Sequence, residues 1–476
     1  MRNFFVALGA VSGSLLLQCG TIPAICQGTE CPPISNEGDA SACDETLAPN
    51  VSEGSVVYVS PKGSAEGAGS KDSPVSSINA ALTMLRDGKT SIFVCKGTYQ
   101  ENVILAGISN VSLYGGFSCD DWTYTCERPA VGPLTGYALE IDNVSSVTVT
   151  DMHFETQKRM SNGESSIAVF ASQSGVTFTR TELVANAGAA GSAGAKGVNG
   201  AWSDPAGGGA GMTCSCTTGG STTGGAGGAA GEDGTSGTPS IAENPPGQPT
   251  PHTGQGGTGG QQCIFPGGLG LPGADAPSGT NAAASDSLGQ LTASGWLPGD
   301  GVDGTDGQPG QGGGGGGGRA GAGGGGGCGG CGGTKGTAGH GGGSSVALLS
   351  FQSTVQLIGC ALTTNQAGSG GAGGNGGDAN EGASGVSGTG NGCGGGDGGY
   401  GGAGGAGSGG AGGISAGVLY SGSAPVPDSD TTIHPGAAGV RGVAGMSGSP
   451  SVVAGNQGLD GKSGQMVSVD DWTVTP

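Results

Sequence analysis

Side chains able to do chemistry are sparse in this 476-residue chain and seldom stand close together in sequence. Asp120-Asp121 precedes Trp122, and Arg180 stands alone in a β-branched run, a spacing that suits loop capping and surface roles. Calcium chemistry would call for carboxylates clustered around one point. Cys328-x-x-Cys331 is followed by His340, but a zinc site needs a second pair at suitable spacing, and the sequence has none. Disulfides are therefore the expected use of that pair. Positions three apart share one edge of a three-residue turn, and each of the two cysteines is expected to reach a different strand. Matches to Gly-x-Gly-x-x-Gly abound through composition alone, without a strand-to-helix context or a following Gly-Lys-Ser/Thr. No catalytic residue, metal-ligand set or cofactor motif emerges, and the expectation leans away from an enzyme.

The cysteines carry the next signal. Met1-Arg2-Asn3 leads into an apolar run from Phe4 to Leu17, too short for a spanning helix and suited to an export signal. Leu16-Leu17-Gln18-Cys19 resembles a bacterial lipobox, with Gln18 in place of the usual small residue. That resemblance implies lipidation at Cys19, and Gly20 after it implies the outer membrane. Cleavage near Ala24 is the alternative. In an oxidising compartment the remaining cysteines are structural. The disulfide candidates are Cys95, Cys119, Cys126, Cys214, Cys216, Cys263, Cys328, Cys331, Cys360 and Cys393. Cys119–Cys126 around a tight loop and Cys95–Cys119 across adjacent coils are mutually exclusive pairings. Lipidation of Cys19 leaves an odd number, so one thiol stays free or pairs between molecules.

Elements that could hold these residues begin at Val56. Short β-branched runs follow: Val56–Val59, Ser91–Cys95, Val111–Tyr114, Val147–Thr150 and Val176–Thr179. One amphipathic helix is expected over Ile78–Arg86. An ungapped internal repeat pairs Ser165–Asn186 with Ser344–Asn365, aligning Val176 with Val355 and Leu183 with Leu362. A weaker third copy starts near Ser415. Each copy makes short strands that cannot bury their apolar face alone, so the copies should stack.

Tyr58-Val59, Gly67, Gly69-Ser70, Ser73-Pro74, Phe93-Val94, Gly97-Thr98-Tyr99, Glu101-Asn102-Val103 and Tyr114-Gly115-Gly116-Phe117 together resemble the entry of right-handed parallel β-helix proteins of the pectate-lyase-like superfamily. Glycine-rich secreted bacterial proteins labelled PGRS carry a similar domain. The resemblance implies an all-β solenoid and says little about activity. Gly339-His340-Gly341 is similar to the Gly-His-Gly of polygalacturonases, which share that fold. No Asn-Thr-Asp segment or paired basic motif accompanies it here.

The expected organisation is a lipoprotein-type signal over 1–18, a flexible tether over 19–54 and N-terminal coils over 55–186. Glycine-rich insertions at 187–343, 367–413 and 435–465 alternate with coils at 344–366 and 414–434, before a C-terminal strand at 466–476. Each insertion starts after a matching turn at Asn186, Asn365 or His434, so all three should leave one corner of the stem and lie side by side. Within them glycine recurs every third residue: Gly188, Gly191, Gly194, Gly197 and Gly200, then Gly301, Gly304, Gly307 and Gly310, then Gly436, Gly439, Gly442, Gly445 and Gly448. Period three indicates a polyproline-II-like helix without internal hydrogen bonds, whose partners must be neighbouring chains. Interrupted, proline-poor runs fit a polyglycine-II bundle better than collagen. A disordered spacer is the alternative, because ordering glycine costs the most entropy. Six cysteines within the insertions favour the bundle.

Composition closes the reading. The chain holds 114 glycines and 24 prolines, with only 4% aromatic and 11% charged residues. Those values argue against a conventional helical enzyme. A net charge of −21 argues against nucleic acid and anionic membrane surfaces as partners. The expectation is an exported protein, lipid-anchored in the outer membrane or extracellular, acting as a structural or adhesive scaffold. Its partner would be an extracellular glycan or another cell-surface component. A polysaccharide-binding or carbohydrate-active β-helix protein is the alternative.

Overall fold

A computed structural model of the chain describes residues 44–86, 88–203, 208–218, 220–238, 254–256, 258–264 and 267–470. The signal segment 1–18, Cys19 and the tether as far as residue 43 lie outside the described residues. Residues 45–54, expected as tether, carry two short 3-10 turns at Glu45–Leu47 and Glu53–Ser55, and Val51 packs against the aromatic cluster described below.

The β-branched runs form strands that pair in parallel into three sheets. Sheet one holds Val56–Ser64, Ser91–Cys95, Ser112–Phe117, Val147–Thr150, Gly175–Thr179, Thr354–Ile358 and Val426–Pro427. Sheet two holds Thr98–Tyr99, Ala130–Val131, His153–Glu155, Glu182–Ala185, Ala361–Thr364 and Thr432–His434. Sheet three holds Val103–Ala106, Leu139–Asp142, Ser166–Ser172, Ser345–Phe351, Ser415–Ser421 and Ser463–Ser468. From residue 91 onward the chain visits sheets one, two and three in that order, turn after turn, as in a parallel β-helix. The internal repeat is a physical register: Ser166 pairs with Ser345, Val176 with Val355 and Leu183 with Leu362.

Each coil places apolar residues in line with those of its neighbours. Val103, Leu139, Val169, Leu348 and Val418 stack along sheet three, and Val131, Phe154, Leu183 and Leu362 along sheet two. Each such buried side chain contributes about 1.5–3 kcal/mol over its exposed state. The corners turn through left-handed backbone. Asn143, Gln173 and Gln352 lie at φ 50°, 48° and 47° between sheets three and one, with Gly422 at 88° in the next coil. Unbranched side chains tolerate that region better than β-branched ones.

The helix is shorter than expected, spanning Ile78–Thr83. Its first turn is fixed by Ser77 and by Glu101, whose carboxylate accepts from the amides of Ile78 (2.8 Å) and Asn79 (3.1 Å). Met84 forms its C-cap, and Met84 and Leu85 pack against the core just beyond it.

All three glycine-rich segments leave between a strand of sheet two and the next strand of sheet three. They cover the outer side of sheet three. Strands Ser166–Ser172 and Ser415–Ser421 are consequently buried on both sides, which explains why they read as unbroken apolar runs rather than alternating ones. The cover includes an antiparallel hairpin, Gly289–Thr292 with Gly295–Pro298, whose Leu291 and Trp296 pack with Phe170 and Leu349.

Within these segments the backbone bonds outward every third residue. Gly188, Gly191, Gly194, Gly197 and Gly200 donate to the carbonyls of Gln366, Ser369, Ala372, Asn375 and Asp378. Gly301, Gly304, Gly307 and Gly310 donate to Gly339, Gly336, Gly333 and Gly330. The seven-glycine run Gly312–Gly318 is a hub. Gly312, Gly315 and Gly318 donate to Thr238, Thr235 and Glu232, Gly313 and Gly316 to Gly327 and Gly324, and Gly314 and Gly317 to Leu271 and Gly268. A Cβ at Gly312, Gly313, Gly314, Gly315, Gly316 or Gly318 would collide with a neighbouring backbone, so those positions have no room for a side chain. Outer edges use short polar residues instead. Asp303, Asp275, Asn375 and Asn281 accept the amides of Ala338, Tyr400, Met446 and Ala406 at 2.8–2.9 Å.

Candidate functional site

The cysteines fasten both the stem and its cover. Cys95–Cys119 (Cα–Cα 5.0 Å) ties a sheet-one strand to the loop that follows the next, closing it over a cluster of Tyr58, Phe93, Phe117, Trp122 and Tyr124. Cys126 is disulfide-bonded elsewhere, so it does not pair with Cys119. Cys214–Cys328, Cys216–Cys331 and Cys263–Cys393 cross-link the glycine-rich segments. Cys328 and Cys331 reach one segment, not two, because residues on a shared edge face the same neighbour. That neighbour is the strand Thr213–Ser215 with Cys216 just beyond it. Cys360 departs from the disulfide candidates: it is a buried free thiol. It stacks at a coil corner one residue before the strand paired with Glu182–Ala185, the place Thr181 takes in the coil below, and points to the carbonyls of Phe178 (3.4 Å) and Ile358 (3.6 Å). Burial raises its pKa, which keeps it protonated.

Arg180, Asp151 and Asp121 are committed to the fold. Arg180 grips Asp151 through Nε (2.8 Å) and Nη2 (2.6 Å), and Tyr124 Oη donates to the same carboxylate at 2.5 Å. Asp151 is nearly buried, and burial together with its negative charge pushes the Tyr124 phenol up to about 12. Asp121 accepts from the amide and hydroxyl of Thr123 and so shapes the loop.

One charged cluster escaped the sequence reading. His153 Nδ1 lies 2.8 Å from Glu182 and Nε2 lies 3.3 Å from Glu155, which also accepts from Asn186 Nδ2 at 2.9 Å. Burial alone would lower the imidazole pKa; the two carboxylates outweigh it and raise it to about 9. The pKa values of Glu155 and Glu182 fall because of the imidazolium. With both nitrogens bonded and a proton on each, this histidine is a clamp between coils rather than a general base. The coil register carried the signal, since His153 and Glu182 are ladder partners.

An open groove of about 760 Å³ lies where the first glycine-rich segment leaves the stem. Asn162 and Gly163 of the stem form one side, and residues 285–290 and 297–302 around the hairpin form the other. Ser192, His340 and Gly341 complete it. Asp300 accepts from the Gly341 amide at 2.8 Å and stands 3.4 Å from His340 Nδ1, so the Gly-His-Gly segment does line a cavity. Carboxylates, hydroxyls and amides alternate with the exposed faces of Leu297 and Val302, and no lysine or arginine is present in the lining. Among the described residues no group of three or more His, Cys, Asp or Glu side chains is arranged to hold a metal ion. No helix there is long and apolar enough to cross a membrane. No protein family, curated protein or solved structure matches the chain.

Proposed function

We propose that this is an exported, non-catalytic cell-surface scaffold in which a right-handed parallel β-helix stem carries a bundle of polyglycine-II helices. The observation that carries the reading is the outward hydrogen bonding at every third residue across segments leaving one corner of the stem. Disulfides between those segments fit an oxidising compartment outside the cytoplasm. Lipidation at Cys19 would hold the protein on the outer membrane, as in glycine-rich surface lipoproteins. The bundle would then be presented outward, for structural or adhesive contact with glycan or another surface component. Amide hydrogen exchange on the oxidised protein tests the bundle. Slow exchange is expected across 187–203 and 299–343, and random-coil rates there would overturn the reading.

A second reading, a carbohydrate-active β-helix protein, draws on Asp286, Asp300 and His340 sharing one groove. Release of reducing ends from polysaccharide, abolished by Asp286→Asn, would favour it over the scaffold.

A further inference from the structure

The groove between stem and hairpin has features that go beyond a general affinity for glycan. Elsewhere in the glycine-rich segments, short polar side chains are consumed as acceptors for neighbouring amides, as with Asp303, Asp275, Asn375 and Asn281. Asn162, Ser192, Asp286 and Gln290 line the groove, and among the described residues their side chains make no hydrogen bond or ion pair. A hydroxyl, two amides and a carboxylate thus converge on one space with their capacity unspent. Leu297 and Val302 are 60% and 44% exposed and add apolar surface to the same wall. Alternating polar groups and small apolar faces match a sugar ring, which offers hydroxyl edges and C–H faces.

The walls are fixed before any ligand arrives. The hairpin is anchored by Trp296 and Leu291 on the outer side of sheet three. The stem side is tied by the bond from the Gly163 amide to Ala190 (3.0 Å), and Ser192 is held by the His340 amide (2.9 Å). Rigid walls reduce the ordering cost of binding.

Charge narrows the class further. Asp286 and Asp300 stand in the lining with no lysine or arginine beside them, on a chain of net charge −21. An anionic chain would leave its carboxylates unpaired against these two. We infer that the groove binds a non-anionic oligosaccharide. This rests on the adhesive reading above and excludes the polyuronates that the β-helix resemblance would suggest.

The test is calorimetric titration of the oxidised full chain with cellotriose, chitotriose and trigalacturonate. Binding of at least one neutral trisaccharide is expected, with trigalacturonate weaker by tenfold or more. The double substitution Asn162→Ala/Gln290→Ala, at exposed positions without partners, should weaken the neutral sugar by about tenfold, the cost of losing one or two hydrogen bonds. Asp286→Lys should bring trigalacturonate affinity towards that of the neutral sugar. Equal binding of trigalacturonate by the unaltered protein, indifference to the double substitution, or no binding of any probe overturns the inference. Hydrogen exchange on the same samples separates the two readings. A groove that fails while 187–203 stays protected leaves the scaffold standing.

Discussion

Replacing Gly396 by alanine tests whether close backbone approach holds the glycine-rich segments together. A Cβ at Gly396 would land on the carbonyl of Leu271 and the nitrogen of Pro272, both backbone atoms that cannot swing aside. Restoring ordinary contact requires the segment at 267–283 to retreat by about 1 Å. Beside Gly396 two bonds cross that boundary, Gly270 to Gly394 (3.0 Å) and Gly273 to Asp397 (2.8 Å), and the same segment is held from its other neighbour by the bond of Gly314 to Leu271 (2.8 Å). Losing the nearest two costs roughly 1 kcal/mol each, and local repacking adds about 1–2 kcal/mol. The stiffer unfolded chain returns about 0.4–1 kcal/mol. The net is on the order of 2–3 kcal/mol, or about a hundredfold loss of amide protection. Gly394 is the matched control: two residues away, its nearest would-be contact is Val386 O at 3.8 Å, ordinary van der Waals distance. Gly394→Ala should therefore leave exchange unchanged or slightly slowed. The assay is peptide-resolved hydrogen exchange across 267–283. Equal effects of the two substitutions would refute the reasoning, because then glycine content rather than glycine placement would matter.

Three further outcomes are expected. His153 has its folded pKa raised, so its contribution to stability is complete below pH 6.5 and fades as pH rises through about 9. Glu155 and Glu182 have theirs lowered, and their contribution is present above pH 4.5 and lost on acidification. Thermal melts should accordingly show His153→Gln costing more near neutrality than at high pH, and a pH-independent cost would remove the clamp. The pair Cys214→Ser/Cys328→Ser should lose roughly 2–4 kcal/mol from the glycine-rich cover. Exchange in strands 112–117 and 147–150 should stay as slow as before. Cys360→Thr should change stability by less than about 1 kcal/mol, because a hydroxyl takes the same corner in the coil below. In the unaltered folded protein the Cys360 thiol should resist alkylation until denaturant is added.

Much of the stem was legible because a solenoid turns sequence similarity into spatial register. The alignment of Val176 with Val355 and of Leu183 with Leu362 is the pairing in the sheets. The exits after Asn186, Asn365 and His434 mark one corner for the same reason. The sparse glycine runs were readable as edges, since a phase kept without abundance must answer to a neighbour. What escaped depends on coil spacing that is irregular in sequence. His153 and Glu182 are paired across coils whose lengths vary, so no local motif announces them. Nor did the hairpin at Gly289–Pro298 stand out, because Trp296 lies among glycines, serines and prolines that mask its alternation. The pairing of both Cys328 and Cys331 with one short segment required knowing which neighbour their edge faced.

Gly312–Gly318 bonds to three neighbours in strict rotation, which makes length in these segments a quantised property. Removing one residue rotates everything beyond it by a third of a turn and aims each amide at the wrong partner. Removing three restores the rotation but leaves the facing segments one step too long, and their surplus must go into the connecting loops. Viable length variants should therefore differ by whole triplets, which in the gene are units of nine nucleotides. The same arithmetic predicts that changes in facing segments travel together, so that the cover lengthens or shortens as a block.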